Sequence, residues 1–462
     1  MSRPAAAVNR VIKAYDVRGL VGEEIDEQFV ADVGGAFARL VRDEGADRVA
    51  IGYDMRASSP SLAAAFAEGV VAQGLNVTRI GLASTDQLYF ASGLLDCAGA
   101  MFTASHNPAA YNGIKLCRAG AKPVGKDSGL SAISDEVIHG VPAFDGASGV
   151  LEDRDVLGDY GDFLRSLVDI SALRPLRVAV DAGNGMGGHT TPAVLGPLTS
   201  VTLLPLFFEL DGTFPNHEAN PLDPANLVDL QRHVLETGAD IGLAFDGDAD
   251  RCFVVDELGQ PVSPSAVTAL VAGRELGREI GATVIHNLIT SRAVPELIVE
   301  RGGTALRSRV GHSYIKALMA ESGAIFGGEH SAHYYFRDFW GADSGMLAAL
   351  HVLAALGERD RPLSEMMADY QRYVESGEIN FTVADAPACV DAVLKSFGSR
   401  IQSIDHLDGV TVDLGAGTWF NLRTSNTEPL LRLNVEARSS DDVAAIVDDV
   451  AAQIASLSET AT

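Results

Sequence analysis

Three apolar, β-rich runs in this sequence each end in an aspartate followed by small or polar residues. They are RVAIGYD from Arg48 to Asp54, RVAVDAGNG from Arg177 to Gly185, and DIGLAFDGDADR from Asp240 to Arg251. Helix-period stretches lie near them, among them Pro60 to Gly74 and Asn226 to Gly238. Strand and helix alternating at this spacing predict parallel α/β units, whose ligands collect at the carboxyl ends of the strands. A fourth unit is expected from Ala282 to about Leu356. The tail differs, reading as strands Val410–Leu414, Trp419–Arg423 and Leu430–Val435, then an amphipathic helix from Asp441 to Leu457 capped by Ser439 or Ser440. At 462 residues the chain exceeds one ordinary core. Polar, glycine-containing stretches near 145–157, 257–264 and 358–376 supply boundaries. The expected divisions are 1–150, 151–258, 259–368 and 369–462: three α/β units, then a smaller α+β lobe.

Charge narrows the partners. With 62 acidic and 35 basic residues the net charge is −27, which argues against non-specific nucleic-acid or acidic-membrane binding. A phosphate-binding protein of this charge must gather its few cations locally. Cys97, Cys117, Cys252 and Cys389 are scattered, with no zinc-like spacing, as expected in a reducing compartment. The first residues carry no apolar h-region, and the greasiest helix, Gly345 to Gly357, is short of the roughly 20 residues of a membrane span. A cytoplasmic protein is expected.

Two motifs carry the sharpest chemistry. In Thr103-Ala104-Ser105-His106-Asn107-Pro108 a serine follows an apolar run, and Pro108 ends regular structure. Ser105 is therefore expected on a turn and exposed, with His106 and Lys115 as groups that could activate it. Local chemistry alone favours a serine that merely caps a helix in such a turn. Asp246, Asp248 and Asp250 alternate on an extended segment, so their carboxylates share a side and repel unless a cation joins them. Hard oxygen ligands select Mg²⁺ or Ca²⁺ over zinc. Glu257 stands at position 12 of an EF-hand-like count, but position 6 is Arg251 and the flanks read as strands.

Other patterns are weaker. Gly120 to Asp127 nearly spells a P-loop, but Asp127 replaces its hydroxyl residue. Gly183, Gly185 and Gly188 imitate a dinucleotide fingerprint, yet Asp181 would aim a carboxylate at the pyrophosphate, so tight strand–helix packing is the expected use of these glycines. Gly327 to His333 offers an acid, a hydroxyl and two imidazoles for sugar hydroxyls, while a zinc pair from His330 and His333 lacks a near third ligand. Arg423 to Pro429 has the composition of an anion-binding loop, or of an ordinary polar hairpin.

Taken together and in this order, from Tyr15-Asp16-Val17-Arg18-Gly19 to the Arg423 loop, these motifs resemble the α-D-phosphohexomutase family. The resemblance implies four domains around a central cleft, three similar α/β domains followed by an α+β domain. It implies that Ser105 carries the phosphoryl group and that Mg²⁺ is held by Asp246, Asp248, Asp250 and the seryl phosphate. By the same resemblance Glu329 and Ser331, with His333 nearby, read sugar hydroxyls, and Arg423, Ser425, Asn426 and Thr427 grip the distal phosphate. Arg18, His106, Lys115, Arg251 and His312 match active-site positions, Lys115 as a candidate general acid or base. His330 occupies a variable position, and Ala332 replaces a frequent glycine. The implied reaction interconverts mannose 6-phosphate and mannose 1-phosphate through a hexose 1,6-bisphosphate, which also primes the enzyme. Glucose or glucosamine phosphates are the alternatives within the family, and a dehydrogenase or a serine-dependent phosphatase those outside it. Hexose phosphates are the expected partners of a monomer or homodimer.

Overall fold

In the computed structural model, residues 3–424 and 430–459 are described. Ser425, Asn426 and Thr427 lie outside the described residues. The chain builds four sheets in sequence order. In the first, Arg48–Tyr53 runs parallel to both Asn76–Leu82 and Ala98–Phe102, and Tyr111–Arg118 returns antiparallel. In the second, Ile241–Phe245 is parallel to Leu176–Asp181 and antiparallel to Cys252–Asp256. In the third, Thr283–Asn287 is parallel to Thr304–Ser308 and to Phe326–Gly328, which pairs antiparallel with Tyr334–Phe336. The expected α/β units are therefore present, each with its helices.

The fourth sheet is wholly antiparallel. It contains the three expected strands plus Val374–Thr382 and Ser403–Asp405, and the helix Ala386–Phe397 packs with the final helix Ser440–Glu459. Sequence reading missed the first of these because Val374–Thr382 is only half buried and shows no clean alternation. The cap of the last helix is Ser439, whose hydroxyl accepts the Asp442 amide. Two sheets run past the expected divisions: Leu151–Asp153 pairs with Val77–Arg79, and Pro261–Val262 pairs with Val254–Val255.

Apolar packing explains why the first three units sit as one body. One core cluster joins Leu88, Tyr89 and Phe90 of the first unit to Tyr160, Leu243 and Val254 of the second and Leu270, Phe326 and Phe339 of the third. The helix Gly345–Gly357 is buried along its whole length, and each of its leucines contributes roughly 1.5–3 kcal/mol by leaving water. Among the described residues no helix is long and apolar enough to cross a membrane.

The sheets share one device. In each of the first three, the strand ending at Phe102, Phe245 or Gly328 is followed by an antiparallel partner, and the connection holds a motif found in the sequence. The fourth sheet repeats this between Thr418–Thr424 and Leu430–Ala437. The loops of the first three sheets meet, with the Ser105 hydroxyl against Asp246 and Arg251 bridged to His333.

Candidate active site

Ser105 sits on the turn expected of it but not in the open: it is only 6% exposed. The loop carrying the three aspartates closes over it, with Gly247 packed against the Ser105 carbonyl. Its φ of +49° is a left-handed conformation that a non-glycine residue adopts only when its surroundings impose it. Those surroundings are visible. The Ser105 amide donates to Thr103 Oγ1 at 2.9 Å, and Arg18 Nη1 donates to the Ala104 carbonyl at 3.1 Å and to Asn107 Oδ1 at 2.6 Å.

The Ser105 hydroxyl donates to Asp246 Oδ2 at 2.7 Å, bridging the first and second units. Arg251 Nη2 also donates to Asp246 Oδ2 at 2.7 Å, and to His106 Nδ1 at 2.7 Å. Burial, with help from Arg251 and Arg18, lowers His106 to about 2, so its imidazole is neutral and its Nδ1 lone pair is engaged by Arg251. Lys115 Nζ donates to Asp248 Oδ2 at 2.7 Å and to Asp250 Oδ2 at 2.6 Å. Burial opposes the charge on Lys115, but these carboxylates raise its pKa. Ser105 Oγ also lies 3.3 Å from His106 Nδ1, but its shorter contact is with Asp246.

Three buried carboxylates cannot all ionise freely beside one another. Burial raises Asp246 to about 7, against the pull of Arg251, and Asp250 and Asp248 add to the rise. Asp248 shifts the other way: despite burial, Lys115 and the Thr85 hydroxyl, 2.6 Å away, hold it well below the usual carboxylate range. The three side chains offer oxygens within 4.8 Å of one another. Oδ1 of Asp248 and Oδ1 of Asp250 are buried without a hydrogen-bond donor, a costly state that a cation relieves. An all-oxygen donor set beside a hydroxyl suits Mg²⁺.

The third unit closes the other side. Arg251 and His333 form an isolated backbone bridge, and His333 Nε2 lies 3.8 Å from Asp250 Oδ1. Glu329 is buried and aimed by three donors: Tyr335 OH at 2.7 Å, the Gly311 amide at 3.1 Å and Asn287 Nδ2 at 3.3 Å. Ser331 Oγ and His333 Nδ1 are 3.0 Å apart. Ala332 has a φ of +64°, the conformation that favours glycine at this position. His312 packs edge-on against Tyr15 of the first unit, with ring centroids 5.3 Å apart, and desolvation with nearby Lys316 lowers it to about 3.

From the fourth unit, Arg423 approaches Glu378 Oε2 at 3.4 Å, and its register partner Arg432 approaches Glu378 Oε1 at 3.6 Å. Among the described residues the Nε atoms of both arginines find no hydrogen-bond acceptor, so two guanidiniums stand side by side where an anion would be welcome.

The rival motifs resolve into packing. A side chain at Gly185 would meet the Gly247 carbonyl at 2.7 Å, and one at Gly188 would run into that of Phe208. Asp181 is taken by His217 Nε2 at 3.0 Å and by the Gly183 amide at 2.8 Å. Glu257 accepts from the Ser364 amide and hydroxyl, away from the aspartates. His330 turns to Glu375, 3.3 Å away, while His333 faces Asp250, so the two histidines do not form a pair.

Four residues escaped sequence reading. Thr85 orients Asp248, and Arg432 doubles Arg423. Asp86 ties three units together, accepting from Ser84, from Tyr160 OH at 2.7 Å and from Ser344 Oγ at 2.6 Å. Arg56 lies beneath the serine turn. Of these only Arg56 has a sequence signal, standing two residues after the aspartate that ends its strand.

A buried serine hydroxyl on a carboxylate triad, with paired arginines on neighbouring strands of the fourth sheet, fits a phosphoryl-handling enzyme built by repetition. The chain belongs to the phosphoglucomutase/phosphomannomutase family. The models of its alpha/beta/alpha domains I, II and III match residues 9–139, 158–259 and 263–373, and that of its C-terminal domain matches 378–453. A relative from Xanthomonas campestris described as "Phosphohexose mutases" is 41% identical over 92% of this chain and 94% of its own. A phosphomannomutase of Salmonella typhimurium is 38% identical over 92% and 94%. The crystal structure of a phosphoglucomutase/phosphomannomutase family protein from Burkholderia thailandensis superposes with a TM-score of 0.88 at 32% identity, covering 98% of this chain and 97% of the other.

Proposed function

We propose that the chain is a cytoplasmic phosphomannomutase that interconverts mannose 6-phosphate and mannose 1-phosphate and also accepts glucose phosphates. The observation that carries the reading is the 2.7 Å contact of Ser105 Oγ with Asp246, which sets a nucleophile inside a divalent-cation site. Phosphomannomutase relatives support the substrate, and a phosphomannomutase/phosphoglucomutase of Pseudomonas putida, 35% identical, supports the breadth. Glucose and mannose differ at C2, whereas the family resemblance gives Glu329 and Ser331 to O3 and O4. Four buried free cysteines suit the compartment.

The seryl phosphate at Ser105 passes its phosphoryl group to the free hydroxyl of a bound hexose phosphate. The P–Oγ bond breaks, a P–O bond to the sugar forms, and the sugar hydroxyl gives up its proton. Lys115, an ammonium between Asp248 and Asp250, is the candidate acid and base: it gives a proton to the departing Ser105 Oγ and takes the one that leaves the sugar hydroxyl. The hexose 1,6-bisphosphate then turns end for end, and its other phosphoryl group returns to Ser105. Asp246, Asp248 and Asp250 would hold Mg²⁺, which when bound neutralises charge on the transferring group and improves serine as a leaving group. Arg251 and Arg18 orient the serine turn, Glu329, Ser331 and His333 hold the sugar, and Arg423 with Ser425, Asn426 and Thr427 grips the phosphate that is not reacting. His312 borders the same cleft. A hexose 1,6-bisphosphate restores molecules that have lost the seryl phosphate.

A coupled assay with mannose 1-phosphate, glucose 1-phosphate and glucosamine 1-phosphate side by side tests the assignment. Turnover should be fastest with the mannose ester and measurable with the glucose ester. Preference for glucosamine 1-phosphate, or steady release of phosphate without isomerisation, would overturn it.

A further inference from the structure

Arg56 is among the largest fully buried side chains, 1% exposed, and it lies under the catalytic turn rather than in the cleft. A guanidinium has five N–H donors in a fixed fork, and here the fork is saturated. Nε donates to Asp54 Oδ2 at 3.2 Å. Nη1 donates to the carbonyls of Pro108 at 2.9 Å and Tyr111 at 3.1 Å. Nη2 donates to those of Ser105 at 2.8 Å and Asn107 at 2.7 Å. The carboxylate that anchors it is itself fixed, with Asp54 Oδ1 accepting from the Ser59 hydroxyl at 2.6 Å and from the Arg56 amide at 3.0 Å. From the second unit, the Phe214 ring lies 5.2 Å from the guanidinium carbon, and Gly212 packs so closely that a side chain there would meet Arg56 Cα at 2.7 Å.

This arrangement exceeds what burial of one arginine requires. Four backbone carbonyls of the segment 105–111 are drawn to one point, which fixes the left-handed φ at Ser105. Because a trans peptide sets C=O and the next N–H in opposite directions, the His106 amide is turned away from Arg56.

We propose that Arg56 is a positioning residue for phosphoryl transfer, imposing the backbone of the seryl turn so that Ser105 Oγ is aimed at the metal site and the substrate. The inference rests on Ser105 being the phosphoryl carrier. Lysine keeps the charge, but three donors on a single atom cannot span four carbonyls and Asp54. Since the sugar and its distal phosphate are held by other loops, the loss should fall on the chemical step.

The test measures kcat, KM and single-turnover seryl phosphorylation by glucose 1,6-bisphosphate in Arg56→Lys and Phe214→Leu, with thermal unfolding to establish the folded fraction and Ser105→Ala in parallel. For folded Arg56→Lys, kcat and the seryl phosphorylation rate should fall by about 100-fold, the loss expected of a nucleophile displaced by about 1 Å, while KM changes less than about threefold. Phe214→Leu should show a smaller loss of the same kind. Folded Arg56→Lys with kcat within about threefold of the parent, or with the loss confined to KM, would overturn the inference. Failure of both variants to fold would also overturn it, by assigning Arg56 to folding alone. If Ser105→Ala retains turnover, the function reading fails first; if it is dead while Arg56→Lys is active, only this inference falls.

Discussion

Gly247→Ala tests the close approach of the serine and aspartate loops. A Cβ at Gly247 would lie well under 3.0 Å from the Ser105 carbonyl oxygen and 3.2 Å from its carbon. Both neighbours are backbone, so no side chain can swing aside, and Ser105 O is already tied to Arg56. Restoring an ordinary contact must part the loops by about 1 Å, a displacement that costs about 100-fold in rate, or roughly 2.7 kcal/mol in the barrier. Overpacking should also lower stability by about 1–3 kcal/mol. Gly273→Ala is the control: it lies within the helix Pro264–Arg278 with nothing within 4 Å of its Cβ, and should stabilise by about 0.5–1 kcal/mol with unchanged turnover. Coupled mutase kinetics and urea unfolding on the two variants give the answer. Gly247→Ala with turnover within threefold of the parent would refute the geometry on which the site is built.

Further outcomes follow from the same site. Arg423→Ala removes charge-assisted hydrogen bonds worth about 1.5–3 kcal/mol, so KM should rise about 10–150-fold and more free bisphosphate should leak in single-turnover chromatography; unchanged KM with no leak counts against the distal site. Asp248→Asn should weaken Mg²⁺ binding and turnover together by at least the roughly 10–100-fold seen when outer-shell partners are lost, and chelator should abolish parental activity reversibly; full activity after exhaustive chelation would exclude the metal site. His330 pays a burial penalty, yet Glu375, with Glu378 and Glu436 beyond it, raises its pKa. A raised histidine contributes stability that is complete below its unfolded value of about 6.5 and is lost as pH rises through the folded value. The thermal-stability advantage of the parent over His330→Gln should therefore shrink as pH climbs past about 6.5, and a constant or growing advantage would contradict the pairing with Glu375.

Much of this molecule was legible in the sequence because its parallel strands are continuous apolar runs that end in chemically distinctive loops. The runs at Arg48, Arg177 and Asp240 became central strands, and the Ser105, Asp246 and Glu329 loops became hairpin connections. The dismissal of the Gly183 turn followed from the carboxylate at Asp181, and His217 now fills that place. What was not legible depends on contacts between distant segments. Ser105 was expected in the open because Pro108 marks a turn, but a loop 141 residues away covers it. Thr85, Asp86 and Arg432 look ordinary until the second, third and fourth units bring partners to them. Arg56 reads as one more charged residue after a strand, and only the folded turn shows that every donor of its guanidinium is committed.

The central claim is that Ser105 carries the phosphoryl group between substrate molecules. The direct measurement is peptide mapping of the purified protein, followed by labelling with phosphoryl-labelled glucose 1,6-bisphosphate and a chase with unlabelled mannose 1-phosphate. The account predicts a phosphoryl group on Ser105 in part of the preparation, labelling at that residue alone, and release of the label into hexose phosphate at the rate of turnover. Label on another residue, a seryl label that the chase leaves in place, or full activity in Ser105→Ala would contradict it.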